Sequence, residues 1–355
     1  MNTNSRYNRQ INLPQVGSRG QQKLEQAKIL VIGAGGLGCA VLPYLVSAGI
    51  GKIGIIDGDT VDETNLQRQV LYSESSIGKS KATEAKAKLE TLNSTIIIES
   101  YNEFLNPQNA LSVLKEYDII VDATDTISIR YLINDACVLA NKPFVYGSVY
   151  RFEGQISVFN YKNGPTYRCL FKDEKSIVQN CAEVGVLGST VGFVGMLQAN
   201  EVMKLILEIG EVLSGKLLMY NALTNDQNIF QFNKDSSIHI DEKFYESEYL
   251  KDEVVEVSAE EAIANDALFL DVREWQETPK LNFNNSVQIP LSVLEEEIEQ
   301  LNKEENILIY CQSGKRSLQA FKILSQYQFK NIKSIKGGAI AINEIIDNEK
   351  EKSIY

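Results

Sequence analysis

The sequence is poor in several things, and each shortage excludes a class of protein. It holds one histidine, His239, in 355 residues. That excludes poly-histidine metal sites and leaves a Ser-His-Asp mechanism resting on a residue set in a polar, acidic stretch. Five cysteines, an odd number at wide spacings, give no disulfide framework and read as free thiols in a reducing compartment. Basic charge is also short: 35 Lys and Arg stand against 47 Asp and Glu, a net −12. Nucleic acid is therefore excluded as the main partner, since a phosphate backbone needs a basic surface. Long apolar runs are missing. The best candidate, Val184 to Ile209, contains Gln198, Asn200, Glu201 and Lys204, so a buried helix is expected there rather than a membrane span. The opening residues MNTNSRYNRQ have no apolar core, so no secretory signal and a cytoplasmic location are expected.

What is present is an ordinary globular composition, 44% apolar and 23% charged, in a chain long enough for two domains. Charge divides it. Residues 1–232 carry 21 basic and 23 acidic side chains, residues 233–355 carry 14 and 24, and the shift begins in the polar segment Asn233 to Glu253. The expected organisation is a first domain over 1–232, an acidic linker over 233–251 and a second domain over 252–355. In the first, strand candidates at Lys28–Ile32, Lys52–Asp57, Thr95–Tyr101, Tyr117–Ala123 and Pro143–Val149 alternate with helical stretches such as Lys79–Leu92 and Ile129–Ala140. The fold class is α/β with a mostly parallel sheet. The second repeats the alternation on a smaller scale, with strands expected at Val254–Val257, Leu268–Val272, Ile307–Tyr310 and Ile332–Ile335. Helical stretches are expected at Ala259–Ala264, Leu291–Leu301 and Arg316–Tyr327.

Gly33-Ala34-Gly35-Gly36-Leu37-Gly38 follows a strand and opens a helix, the place where backbone N–H groups meet a phosphate. Asp57 ends the next strand, where a carboxylate holds ribose hydroxyls. Beyond it come Asp59, Asn65, Arg68 and Gln69, then Lys81, and Asp125 closes the strand end Asp122-Ala123-Thr124-Asp125. A hydride-transfer site has no use for such a cluster. A site that polarises an α-phosphate and holds Mg²⁺ does, because cations neutralise charge developing on phosphorus and a carboxylate carries the metal. Gly78-Lys79-Ser80 is a decoy: a phosphate-binding loop ending there needs glycine at position 73, which is serine.

At these residues the chain resembles the MoeB/ThiF/HesA adenylyltransferases that activate ubiquitin-like sulfur carriers, relatives of ubiquitin-activating enzymes. The resemblance runs over nearly all of residues 5–232 and includes Arg6-Tyr7-Asn8-Arg9-Gln10, the glycine loop, Asn65-Leu66-Gln67-Arg68-Gln69 and Tyr167-Arg168-Cys169-Leu170. It implies a Rossmann-like adenylation domain in which Gly33, Gly35, Gly36, Asp57, Asp59, Gln69 and Thr126 line the ATP site. Asn65 and Arg68 would hold the phosphates, Lys81 the α-phosphate region and Asp125 the Mg²⁺. Arg9 would reach the ATP of the other subunit of a homodimer. Two departures stand out. Many members carry two C-x-x-C pairs around a structural zinc, whereas here Thr166 takes the first position of the pair ending at Cys169 and no second pair follows Tyr220. Zinc is therefore not expected. Position 126 is threonine where the group usually has asparagine.

Cys39 and Cys137 sit among apolar neighbours and read as packing residues. Cys181 occupies the place where the resembled enzymes carry a cysteine able to bond covalently to the carrier or its sulfur donor. Cys311 is the distinctive one. It ends a strand and starts Cys311-Gln312-Ser313-Gly314-Lys315-Arg316-Ser317, which opens a helix, so successive N–H groups and two cations would stabilise an anionic sulfur. Four residues separate Cys311 from Arg316, one fewer than in a cysteine phosphatase loop. The second domain instead resembles a rhodanese sulfurtransferase over about residues 252–340, on Asp271-Val272-Arg273-Glu274, Ile289-Pro290-Leu291 and Gly337-Gly338. A persulfide on Cys311 is the implied intermediate.

Together the resemblances imply adenylation of a carrier's C-terminal glycine followed by sulfur transfer to a thiocarboxylate. A molybdopterin-type carrier is favoured, with thiamine-pathway or tRNA-thiolation carriers as rivals and a persulfide or thiosulfate as donor. A non-catalytic scaffold for a ubiquitin-like partner would have no use for Arg9, Asp57, Arg68, Lys81 and Asp125 together. A nicotinamide-dependent redox enzyme would lack its catalytic histidine.

Overall fold

The computed structural model describes residues 3–172, 185–250, 255–281 and 283–352. They form two compact units, 1–248 and 249–355. In the first, β1 (Lys28–Ile32), β2 (Lys52–Ile56), β3 (Ile97–Tyr101), β4 (Ile119–Asp122) and β5 (Phe144–Tyr150) are followed by β6 (Glu153–Phe159), β7 (Lys216–Asn221) and β8 (Gln227–Gln231). The sheet order is β3-β2-β1-β4-β5-β6-β7-β8. The first five strands are parallel and the last three antiparallel. β1 and β4 are apolar runs because helices cover both faces of a parallel sheet. The antiparallel extension has no counterpart in the expected strands. β8 is exposed along its length, so it shows no buried apolar pattern.

The helix Gly36–Ala48 packs against the helix Gly188–Leu207, and a Cβ on Gly195 would come within 2.7 Å of the Ala40 Cβ and 2.8 Å of the Leu37 carbonyl oxygen. The polar residues that argued against a membrane span have work to do here. Gln198, fully buried, donates to the carbonyl oxygens of Asp122 at 2.7 Å and Val145 at 3.3 Å, and Glu201 accepts from Leu213 N–H at 3.0 Å. No helix among the described residues is long and apolar enough to cross a membrane. At the end of the unit, Asp241 caps a short turn through Phe244 N–H at 2.7 Å, and the buried Tyr245 donates to the Pro107 carbonyl oxygen at 3.1 Å.

The second unit is a five-stranded, all-parallel sheet. Its strands are β9 (Glu256–Val257), β10 (Leu268–Asp271), β11 (Ser286–Gln288), β12 (Ile307–Tyr310) and β13 (Ile332–Ile335), in the order β11-β10-β12-β13-β9. The helices Ala259–Ile263 and Lys315–Gln326 lie where periodicity places them. The helix expected over Leu291–Leu301 does not form. Two 3₁₀ turns, Leu291–Val293 and Ile298–Gln300, take its place. They still bury Leu294, Ile298 and Leu301, while an α-helix would stack Glu295 over Glu299 as like charges.

Candidate active sites

The turn after β1 is shaped by close approaches. Gly33 has φ +96°, and a Cβ there would lie 2.7 Å from the Ala123 carbonyl oxygen; one on Gly38 would lie 2.2 Å from the Gly33 carbonyl oxygen. The turn is thus pressed onto the end of β4 and into its own helix. Gly36 serves packing, since its Cβ would meet the Val191 side chain at 2.6 Å, whereas Gly35 has space above it. The buried Asp57 carboxylate braces the loop, accepting from Ala34 N–H at 2.7 Å and Asp59 N–H at 2.8 Å. Burial raises its pKa, against the pull of those two donors.

These elements open a cleft of about 570 Å³ at the C-terminal ends of β1, β2 and β4, the usual ligand position in an open α/β sheet. It is lined by Gly33, Gly35, Gly36, Asp57, Asp59, Asn65, Arg68, Gln69, Lys81, Asp125 and Thr126. Lys81 is almost buried and pairs with Asp59 at 3.1 Å. Arg68 donates to the Thr64 carbonyl oxygen at 3.1 Å and, among the described residues, has no carboxylate in ion-pair range. Asp125 is exposed to the cleft and accepts from the Thr126 hydroxyl at 3.3 Å. Gln69 is buried with its Oε1 lacking a hydrogen-bond partner. Arg9 lies on the helix Thr3–Ile11, exposed, and does not line this cleft. Its neighbours Tyr7 and Gln10 tie that helix down, Tyr7 accepting from Asn93 Nδ2 at 2.9 Å and Gln10 Nε2 donating to Gln21 at 2.7 Å.

Two cations in the cleft escaped the sequence reading. Arg130 is buried in the helix Ile127–Leu139, donates to the Thr124 carbonyl oxygen at 2.9 Å, and lies 3.7 Å from the buried Asp122, whose pKa burial raises. A charge among apolar neighbours, five residues after Asp125, was the available signal. Arg151 sits at the tip of the β5–β6 hairpin with φ +54° and its guanidinium 5.3 Å from the Tyr150 ring.

Cys39 and Cys137 are buried; burial pushes the Cys39 thiol up to about 12 and raises that of Cys137. Cys169 accepts N–H groups from Thr166 and Asp235, each at 3.4 Å. Cys181 lies outside the described residues. Among the described residues no group of three His, Cys, Asp or Glu could hold a metal ion.

In the second unit the loop Cys311–Arg316 runs from β12 into the helix Lys315–Gln326. The buried Cys311 sulfur accepts Arg316 N–H at 3.2 Å, and the Ser317 hydroxyl lies 4.0 Å away. Ser317 in turn donates to the Gly314 carbonyl oxygen and accepts from Ser334 at 2.9 Å. The Gly337-Gly338 pair closes onto this loop. A Cβ on Gly338 would fall 2.2 Å from the Cys311 carbonyl oxygen, which accepts Ala339 N–H at 2.7 Å. Arg273 is fully buried, clamped by Asp271 at 2.7–3.1 Å, and reaches Gln312 at 3.2 Å. Arg316, expected as one of two cations stabilising an anionic sulfur, is close enough to interact with Cys311 and also donates through its two terminal nitrogens to Glu277 at 2.5 and 2.7 Å.

The sequence matches the ThiF family over residues 7–239 and the rhodanese-like domain over residues 255–344. It is 38% identical to the probable molybdopterin-synthase adenylyltransferase of Porphyra purpurea, the match covering 98% of this chain and 94% of that protein. It is also 38% identical to the adenylyltransferase and sulfurtransferase MOCS3 of Xenopus laevis, over 96% of this chain and 86% of that one. Among solved structures it is similar to E. coli MccB crystallised with ATP, with TM-score 0.56 and 26% identity over 62% of this chain and 67% of that chain. The chain belongs to the ThiF family, with a rhodanese-like domain behind the part that defines it.

Proposed function

We propose that the first unit uses ATP to adenylate the C-terminal glycine of a ubiquitin-like sulfur carrier, the small subunit of molybdopterin synthase being favoured. The second unit supplies sulfur from a Cys311 persulfide to give the carrier thiocarboxylate. The observation that carries the reading is the cleft itself, in which Asp57, Arg68, Lys81 and Asp125 converge on one glycine loop. The names of the two relatives support both halves.

In this reading Asp57 takes the ribose hydroxyls, and Asn65 and Arg68 hold the phosphates. Lys81 draws charge off the α-phosphate as the carrier's carboxylate attacks and pyrophosphate leaves. The residues fit Mg²⁺, which takes one or two carboxylates and completes its shell with phosphate and water oxygens; exposed Asp125 offers that carboxylate. The ion would neutralise phosphate charge. Arg9, outside its own chain's cleft, completes the site of a second copy in a homodimer. Zinc has no part in it. At Cys311 the thiolate takes up sulfur, and the resulting persulfide attacks the acyl-adenylate with AMP as leaving group, giving an acyl persulfide. A second thiol then attacks the Cys311 sulfur, the S–S bond breaks with the thiocarboxylate as leaving group, and a dithiol reductant reopens the disulfide left on Cys311.

ATP–pyrophosphate exchange tests the reading. It is expected only with a carrier ending in glycine and with Mg²⁺, and mass spectrometry of the carrier should show the roughly 16 Da gain of oxygen replaced by sulfur. Well-folded protein that exchanges with neither a molybdopterin-type nor a thiamine-type carrier refutes it.

A further inference from the structure

A loop that opens a helix with an arginine at its end looks built to receive a small anion. The geometry says otherwise. Both terminal nitrogens of Arg316 are engaged, one on each carboxylate oxygen of Glu277. This is the bidentate fork in which a guanidinium would also grip sulfonate or phosphate oxygens. Glu277 is itself fixed, since its Oε1 also accepts Glu274 N–H at 2.9 Å. Hydrogen bonding to Arg316 holds its carboxyl down at about 2, so it stays ionised at any working pH. The other arginine beside the loop is no freer: Arg273 is clamped by Asp271 and buried. Lys315 is exposed, where its charge is screened. A small dianion arriving at Cys311 therefore meets two guanidinium groups that each already face a carboxylate, Arg316 being shared between Glu277 and the Cys311 sulfur.

We propose that Glu277 determines the sulfur donor: by occupying Arg316 it disfavours dianionic thiosulfate and leaves the site selective for alkyl persulfides, which carry no charge beyond that of the reacting sulfur. The inference rests on the reading of Cys311 as a sulfur-accepting nucleophile. With either donor the Cys311 thiolate attacks the sulfane sulfur and forms a new S–S bond while the donor's S–S bond breaks. The electron pair leaves with sulfite from thiosulfate or with an alkanethiolate from a persulfide, so no external oxidant or reductant is needed. What differs is charge. Thiosulfate must bring its sulfonate oxygens against the guanidinium that Glu277 already holds, and a carboxylate facing that group repels it.

The test uses the full-length protein and detects thiocyanate after sulfur passes from Cys311 to cyanide. The donors are thiosulfate and the persulfide of N-acetylcysteine methyl ester. Glu277→Gln should raise the ratio of kcat/KM for thiosulfate to that for the persulfide about ten-fold, mainly through a lower KM for thiosulfate. Glu277→Asp should return the ratio toward wild type. In an Arg316→Ala background Glu277→Gln should no longer shift it, because the gain depends on the freed guanidinium. Scanning calorimetry reports whether the second unit stays folded. An unchanged ratio in folded Glu277→Gln, or the same shift without Arg316, overturns the inference while leaving the Cys311 reading standing. Wild-type protein that turns over neither donor, or a Cys311→Ala variant as active as wild type, overturns that reading and the inference with it.

Discussion

Asp57 is the residue whose removal tests most of the first site at once. Its carboxylate is nine-tenths buried and binds two backbone N–H groups, Ala34 at 2.7 Å inside the glycine loop and Asp59 at 2.8 Å beyond β2. Asp57→Ala leaves both donors unsatisfied. Hydrogen bonds to a charged group contribute about 1.5–3 kcal/mol each. Part of that is offset by no longer burying an anion, the burial that raises the Asp57 pKa. A net loss of about 2–3 kcal/mol is expected, which for a unit of this size lowers Tm by roughly 4–12 °C. Scanning calorimetry is the assay for stability, because the single tryptophan, Trp275, lies in the other unit. The KM for ATP in pyrophosphate exchange should rise at least about ten-fold as the loop loses its brace and the ribose its acceptor. The pH dependence has a fixed sign. A carboxyl with a raised folded-state pKa contributes most below its unfolded value, about 3.9, and loses stability as pH rises through the folded value. The gap between wild type and Asp57→Ala should therefore be wider near pH 4 than at pH 7. A Tm within 1 °C of wild type together with an unchanged KM would refute the reasoning.

Three further outcomes follow from the same geometry. Cys311→Ala, or truncation after Glu248 at the end of the first unit, should keep carrier-dependent pyrophosphate exchange near wild type but abolish thiocarboxylate formation unless free sulfide is supplied; an unchanged rate from a persulfide donor would remove the second unit from the pathway. Arg9→Ala and Asp125→Ala proteins should each be nearly inactive yet regain exchange activity when mixed and allowed to swap subunits. Absence of rescue despite demonstrated swapping would deny Arg9 a role across a dimer. Metal analysis after dialysis should find well under one zinc per chain, since the Cys169 sulfur takes the Thr166 and Asp235 N–H groups as its partners.

The sequence was most legible where one physical requirement dominated. β1 and β12 coincide with their apolar runs because a parallel strand covered on both faces has only one way to look. Gly33 was readable because a positive φ and a close backbone approach admit nothing larger. Legibility failed where partners distant in sequence decide the outcome. β7 and β8 follow a long helix and are set by antiparallel pairing, β7 onto β6 and β8 onto β7. The segment 291–301 carries a plausible helical spacing that its crowded glutamates defeat. Arg130 and Arg151 looked like ordinary helix and loop charges until the sheet brought both to one cleft. The Arg316–Glu277 pair spans 39 residues, and no local pattern announces it.

The two sites differ in one arginine each, Arg68 in the first cleft and Arg316 at the Cys311 loop, and the difference follows from what each site would hold. A triphosphate is polyanionic, and more negative charge leaves with pyrophosphate, so the first cleft profits from guanidinium and ammonium groups with capacity to spare. Arg68 keeps its charge uncommitted to any carboxylate among the described residues, and Lys81 shares the half-exposed Asp59 rather than a buried acid. At Cys311 the incoming group is a single sulfur, and an uncommitted arginine would capture any sulfonate, sulfate or phosphate in solution before a persulfide could approach. Tying Arg316 to Glu277 removes that competition while its backbone N–H still reaches the sulfur at 3.2 Å. The sulfur is then contacted by the Arg316 backbone N–H rather than by the guanidinium alone. The Cys311→Ala experiment asks whether the second site can be changed without loss of the first site's exchange activity, and the Glu277→Gln experiment asks whether the pairing of one arginine sets the donor preference of the second.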